Sequence, residues 1–225
     1  MKLYRSVSVS NILEANKVIN KIKNRDYVFI SLHNQEEVDK NYIQNTSKIC
    51  EALNNKGAYI IADISKRSLS NLKCKNLTNL KKKLGIYAFR FDYGFSIDEI
   101  IKYAKNNPVV VNASTITESE LLKIKKHAKK VIALFNFYPR KETAMDEIQF
   151  YLLTYKFKIH QIETFAFIKG DKVTRGPIHE GLVSVESHRN LSPSVSYILY
   201  ALTNLVSGVF IGDLGLSKKE EDIIN

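Results

Sequence analysis

The sequence predicts an α/β protein built as a (β/α)8 TIM-type barrel with a short last helix, occupying residues 1–225 as a single domain. Three observations lead there. Short runs rich in β-branched and aromatic residues alternate with longer amphipathic runs from one end of the chain to the other. The short runs are apolar almost throughout, as parallel strands covered on both faces are. Strand starts recur every ~20–30 residues, room for one helix and two loops, as βα units require. A doubly wound open sheet is the runner-up, weakened because no GxGxxG follows the first strand.

Taken in order, the strand runs are Leu3 to Val9, Tyr27 to His33, Ala58 to Ile64, Tyr87 to Tyr93, Val109 to Ser114, Val131 to Tyr138, Ile162 to Ile168 and Val209 to Asp213. Ser96 with Glu99, Thr117 with Glu120 and Ser217 with Glu220 have the spacing of capping boxes, in which hydroxyl and carboxylate each satisfy an orphan backbone N–H. Ser192 followed by Pro193 reads as N-cap and first residue of a helix running to Ser207, with Val195, Ile198, Leu199, Leu202 and Leu205 on one face. Gly57, Gly85 and Gly208 fall between a helix and the next strand, where a left-handed cap is useful. After Ser217 barely two turns of helix remain, which reads as a closing stub or as a fragment of a longer protein.

Between the seventh and eighth strands the spacing is about half as large again. The surplus is the segment from Ile168 to Pro193, dense in acids, bases and turn formers: Arg175, Gly176, Pro177, His179, Glu180, Glu186, His188 and Arg189. In a barrel this βα loop lies at the face where active sites are built.

Composition narrows the function classes. A hydrophobic fraction of 44% with 25% charged residues is ordinary for a globular protein and disfavours disorder. No run is long enough to span a bilayer and the N-terminus lacks an apolar h-region, so the cytoplasm is expected, with no membrane partner. The net charge of +11 would suit a polyanion, but Lys81 to Lys83 and Lys125, Lys126, Lys129 and Lys130 sit in helical runs without interleaved aromatics, so a solvated face is favoured over a nucleic-acid site. Cys50 and Cys74, each placed in a predicted helix, form neither a disulfide framework nor a metal spacing.

Polar residues collect at the ends of the predicted strands. Arg90 and Asp92 share a face, as do Asn112 with Ser114 and Asn136 with Tyr138, while His33, Asp63 and Asp213 close their runs. Each has a plain structural alternative, such as a buried Asp92–Arg90 ion pair, yet nothing in folding demands that they gather on one rim. The histidines show no HExxH or His-x-His spacing, so no metal is expected, and neither a GxSxG elbow nor a Walker loop is present. No cofactor is expected either. What remains in quantity is carboxylate: Asp63, Asp92, Glu180, Glu186 and Asp213, the currency of glycoside hydrolysis.

The ordered set FISLH, IADIS, RFDYGFS, VNAST, FNFYPR-x-E-T, FIKGD, RGPIHEGL-x-x-x-E-x-HR and IGD resembles the bacterial 6-phospho-N-acetylmuramidase family. The resemblance implies a glycosidase that cleaves N-acetylmuramic acid 6-phosphate from N-acetylglucosamine during cell-wall recycling in the cytoplasm. It also implies a barrel followed by a smaller cyclophilin-like domain, which these 225 residues do not include. Where the family usually has histidine before NFYPR, this chain has Phe135.

By position, Asp92 and Glu180 form the expected catalytic pair, with Asp92 kept ionised beside Arg90 and Glu180, flanked by Ile178 and Leu182, as the acid. Retention would set the carboxyls roughly 5–5.5 Å apart and inversion roughly 6.5–9.5 Å, while a substrate acetamide could replace the nucleophile. Arg175, Gly176 and Arg140 suit the 6-phosphate. Asn112, Asn136 and Tyr138 suit sugar hydroxyls or the acetamide, and Asp63 and Asp213 complete the substrate rim. Arg189 suits either the lactyl carboxylate or a salt bridge to Glu186. The alternatives are another phosphosugar hydrolase or isomerase, or a noncatalytic phosphosugar-binding or interaction domain.

Overall fold

The computed structural model describes residues 1–33, 41–176 and 178–225, so Pro177 of the long loop lies outside the described residues. Eight strands hydrogen-bond in sequence order into a closed barrel: β1 (Lys2–Val7), β2 (Tyr27–Ser31), β3 (Tyr59–Ile64), β4 (Ala88–Phe91), β5 (Val109–Asn112), β6 (Val131–Leu134), β7 (Glu163–Ile168) and β8 (Gly208–Ile211). The last strand returns to the first in parallel, with Lys2 opposite Gly208 and Arg5 opposite Ile211. The expected (β/α)8 barrel is therefore the fold.

Helices alternate with the strands: α1 (Ile12–Ile19), α2 (Tyr42–Asn55), α3 (Lys66–Asn71), α4 (Leu77–Leu84), α5 (Ile97–Ala104), α6 (Glu118–His127), α7 (Glu147–Ile159), α8 (Pro193–Thr203) and α9 (Lys218–Ile224). Both α5 and α6 begin with complete capping boxes at Ser96–Glu99 and Thr117–Glu120. The box at α9 is half formed. Ser217 caps the Glu220 N–H, but the Glu220 carboxylate is drawn away to the Ser194 N–H at 2.7 Å, which fills the N-terminus of α8. Cys74 falls between α3 and α4 rather than in a helix, and Cys50 is buried in α2, its thiol pushed up to about 12 by burial.

Two expectations need correction. Helix α8 stops at Thr203, where Asn204 takes the left-handed conformation, so Gly208 is no helix cap but the first residue of β8. Glycine stands there because an added Cβ would come within 2.7 Å of the Tyr4 ring. Strand β6 ends at Leu134 instead of Tyr138. Phe135 still donates to the Phe165 carbonyl at 3.0 Å, but the chain then turns, with the Arg140 N–H on the Tyr138 carbonyl at 2.8 Å, so period-two alternation does not govern Asn136 and Tyr138. The shared face of Val195, Ile198 and Leu202 on α8 points outward, while Ser194, Ser196 and Tyr200 are buried.

Two compact units contribute to the barrel. In the unit of Val7–Val111 and Thr117–Val131, aromatic rings close the start of the strands: Tyr27, Tyr59 and Tyr87 stack at 4.6–5.8 Å, with Lys130 Nζ donating to the Tyr27 hydroxyl. In the unit of Met1–Ser6, Asn112–Ile116 and Ile132–Asn225, the rings of Tyr4, Phe165 and Phe210 pack together at 5.5–5.7 Å.

Candidate active site

At the ends of β2, β3 and β4 one register row aligns Ser31 with Asp63 and Asp63 with Arg90. Paired residues of parallel strands point to the same face, so the row brings acid and base together. Arg90 is fully buried, and one of its terminal nitrogens, Nη1, donates to Asp63 Oδ1 at 2.7 Å and to Asp92 Oδ1 at 3.1 Å. His33, two residues beyond Ser31, lies with Nδ1 3.4 Å from Asp63 Oδ2 and Nε2 3.8 Å from Asp92 Oδ2. The Tyr93 ring meets the His33 ring edge-on at 6.3 Å.

The two aspartates differ in exposure. Asp63 is fully buried, and burial pushes its carboxyl above the usual range while Arg90 and His33 pull it back. Asp92 has a partly open side chain on the same arginine. The cluster therefore ends in a carboxylate that meets solvent while its counter-charge does not. That is how a reactive anion is kept oriented without being shielded from a ligand.

The second cluster is organised by Asp213, just after β8. Its Oδ2 accepts the N–H of Gly170 at 2.9 Å and of Leu182 at 3.4 Å, and its Oδ1 accepts the N–H of Arg175 at 2.8 Å. Burial pushes this carboxyl up, against the pull of the three N–H groups and Arg175. The Arg175 side chain is buried, with Nη2 on the Ser6 hydroxyl at 3.2 Å, and Ser6 in turn donates to the Ile211 carbonyl. Gly170 and Gly212 permit this folding-back, since a Cβ on the first would meet the Gly215 carbonyl oxygen at 2.5 Å and on the second Leu182 at 2.6 Å.

The rest of the loop is stapled by Arg189. Its Nε and Nη2 bind both oxygens of Glu186, and its Nη1 donates to the carbonyls of Gly181 at 2.6 Å and Glu180 at 3.1 Å. The expected salt bridge between Arg189 and Glu186 is present. Arg189 holds the Glu186 carboxyl down at about 2. Glu180 accepts the Lys141 N–H at 2.7 Å, with Lys141 Nζ at 4.0 Å. An open cleft of about 550 Å³ lies here, lined among others by Lys141, Lys169, Lys172, His179 and Glu180.

The 6-phospho-N-acetylmuramidase, N-terminal, family model matches residues 5–225. The chain belongs to that family. Among solved structures it is similar to a conserved protein of unknown function from a locus in Enterococcus faecalis, with 27% identity and a TM-score of 0.80 over 98% of this chain and 63% of that one. It is also similar to an uncharacterized B. cereus protein, with 24% identity and a TM-score of 0.75 over 99% of this chain and 64% of that one. The chain thus spans less than two thirds of the length of both. No curated protein matches it.

For this member of the 6-phospho-N-acetylmuramidase family, the remaining candidates are dispersed. Asn112 Oδ1 accepts the hydroxyl and N–H of Ser114 and so caps its own turn. Asn136 is half-buried beyond β6, while Tyr138 and Arg140 are exposed and their carbonyls both accept the Thr143 hydroxyl. Gly176 sits against the His179 ring. Sequence reasoning noticed His33 only as a strand end and passed over Ser6 and Lys141. Its signal for His33 was two-residue spacing from Ser31, which puts both on one face. Among the described residues no group of three or more His, Cys, Asp or Glu converges as a metal site, and no helix is long and apolar enough to cross a membrane.

Proposed function

We propose that the protein is a glycoside hydrolase that separates N-acetylmuramic acid 6-phosphate from N-acetylglucosamine, acting in the cytoplasm on fragments of recycled cell wall. Family membership over residues 5–225 carries this reading. The geometry that supports it is Asp92, a partly open carboxylate fixed at a strand end by a fully buried arginine. Asp92 is the ionised member of the catalytic pair, set against the anomeric carbon or against the water that attacks it. Glu180 is the second carboxylate. One of its oxygens accepts the Lys141 N–H at 2.7 Å, which orients the carboxyl and leaves the other oxygen for the leaving group.

His33 Nε2 stands 3.8 Å from Asp92 Oδ2, while Arg90 bonds Oδ1, so the two cations flank the carboxylate on different oxygens when the imidazole is protonated. The lysine-lined cleft supports an anionic sugar, with Arg175, Gly176 and Arg140 as the proposed phosphate contacts. Asn112, Asn136 and Tyr138 are proposed for hydroxyl or acetamide contacts.

The test is release of N-acetylglucosamine from the phosphorylated disaccharide, with none from the unphosphorylated one. Asp92→Asn should lower kcat by at least ~10²–10³-fold, about 3–4 kcal/mol of barrier, while leaving the fold intact. Full activity of both Asp92→Asn and Glu180→Gln would sink the assignment. Tight binding of the disaccharide without turnover would replace hydrolysis by a noncatalytic sugar-phosphate binder.

A further inference from the structure

Helix α7 is apolar on two opposite sides. Phe150, Thr154 and Phe157 are buried inward, while Ile148, Leu152, Tyr155 and Ile159 lie outward at i, i+4, i+7 and i+11. That four-three-four spacing is the seam of a coiled coil. The neighbouring α8 repeats the inversion with Val195, Ile198 and Leu202 outward over a buried Ser194 and Ser196. The two helices touch through the Phe150 and Tyr200 rings, 5.4 Å apart, and through Lys158 Nζ on the Asn204 carbonyl at 2.9 Å. A helix that is apolar all round is normally a covered one.

We propose that this face is covered by a second copy of the chain, with α7 packed antiparallel to its own counterpart across a two-fold axis. Three features select this occupant. The seven outward side chains, each 43–77% exposed, together leave on the order of 700–900 Å² in solvent, close to the ~800 Å² each partner gives up in a standard interface. The stripe on α7 reads the same in both directions about its midpoint, so Ile148 meets the second copy's Ile159, and Leu152 its Tyr155. That self-complementarity is what an isologous contact needs. Charge completes the pattern, since Asp146 and Glu147 begin the helix and Lys156 and Lys158 end it, and antiparallel pairing sets each acidic end on a basic one. Glu147, which accepts the Ser187 hydroxyl at 3.1 Å, and Lys158, which donates to the Asn204 carbonyl, lie on the same flank of the helix, so the two-fold axis sets them opposite each other and each trades its present bond for the ion pair.

Sedimentation of the purified chain across a concentration series tests this. A mass near twice 25.8 kDa is expected, with Leu152→Glu raising the dissociation constant at least ~100-fold without changing the melting temperature by more than a few degrees. Glu147→Lys and Lys158→Glu should each weaken the dimer about tenfold, and the double exchange should restore it. Since both residues are exposed or half-exposed, circular dichroism should report an unchanged fold in all three. A chain that stays monomeric at ~100 µM overturns the proposal, including when a longer form of the protein or another partner covers the face instead. A dimer indifferent to Leu152→Glu, or one the double exchange fails to restore, overturns it equally.

Discussion

Two buried aspartates close two strands of the same barrel, and they are held in opposite ways. Asp63 is neutralised by side chains: a buried arginine on one oxygen, a histidine near the other. Asp213 is held by main chain, through three N–H groups of the loop that folds back over it. A carboxylate held by side chains belongs to a group of charges that can be extended, and here it is extended to the half-open Asp92. One held by backbone N–H groups is spent on shape, since each bond fixes a stretch of loop. On the proposed reading, the first cluster does the chemistry and the second shapes the loop that carries Glu180 and lines the cleft.

The largest effect that can break this comparison comes from Asp63→Ala. Arg90 then keeps Asp92 but loses its fully buried counter-charge, and breaking a buried ion pair from one side costs about 3–5 kcal/mol. Urea titration should show the midpoint falling accordingly. If the loss is below about 1 kcal/mol, Asp63 is not the main counter-charge of Arg90, and the contrast with Asp213 fails.

Asp213→Asn should cost less, about 1–3 kcal/mol, because the amide keeps one acceptor oxygen while its NH₂ faces a loop N–H donor. The damage should be local. Hydrogen exchange at Gly170, Arg175 and Leu182 should accelerate while amides of β2 to β4 keep their protection. Uniform acceleration across the barrel would show that Asp213 supports the whole fold and not only its loop.

The barrel was legible in the sequence because strand periodicity, helix caps and spacing all report the same local alternation. Positions along the chain were legible too: Arg90 with Asp92, and Glu186 with Arg189, are close in sequence and paired in space. Partners set by register were not. That Asp63 faces Arg90, or that Arg175 reaches Ser6, depends on strand pairing and loop folding that no local pattern encodes. The extent of β6 was misjudged because FNFY alternates like a strand, while its backbone is turned away after Phe135. On α8 Val195, Ile198 and Leu202 do share a face, while Leu205 falls beyond the helix; the direction of that face could not be read, because apolar periodicity reports a covered side without saying what covers it.

The smallest effect concerns the staple beside Asp213 and carries a sign that can be checked. Arg189 and the Ala144 N–H hold the folded Glu186 carboxyl at about 2, below its unfolded value of about 4.3. A depressed carboxyl contributes stability that is present above the unfolded value and lost as pH falls through the folded one. The wild type should therefore exceed Glu186→Gln in stability by a constant margin above pH ~5, and that margin should close between pH ~4.5 and ~2. Because the Glu186 side chain is nearly a third exposed, salt should shrink the margin as well. Denaturant melts at pH 7, 4 and 2.5 measure it. A margin that does not change with pH would mean that Glu186 acts through neutral hydrogen bonds alone, and the loop would then owe its shape to Asp213 rather than to the ion pair.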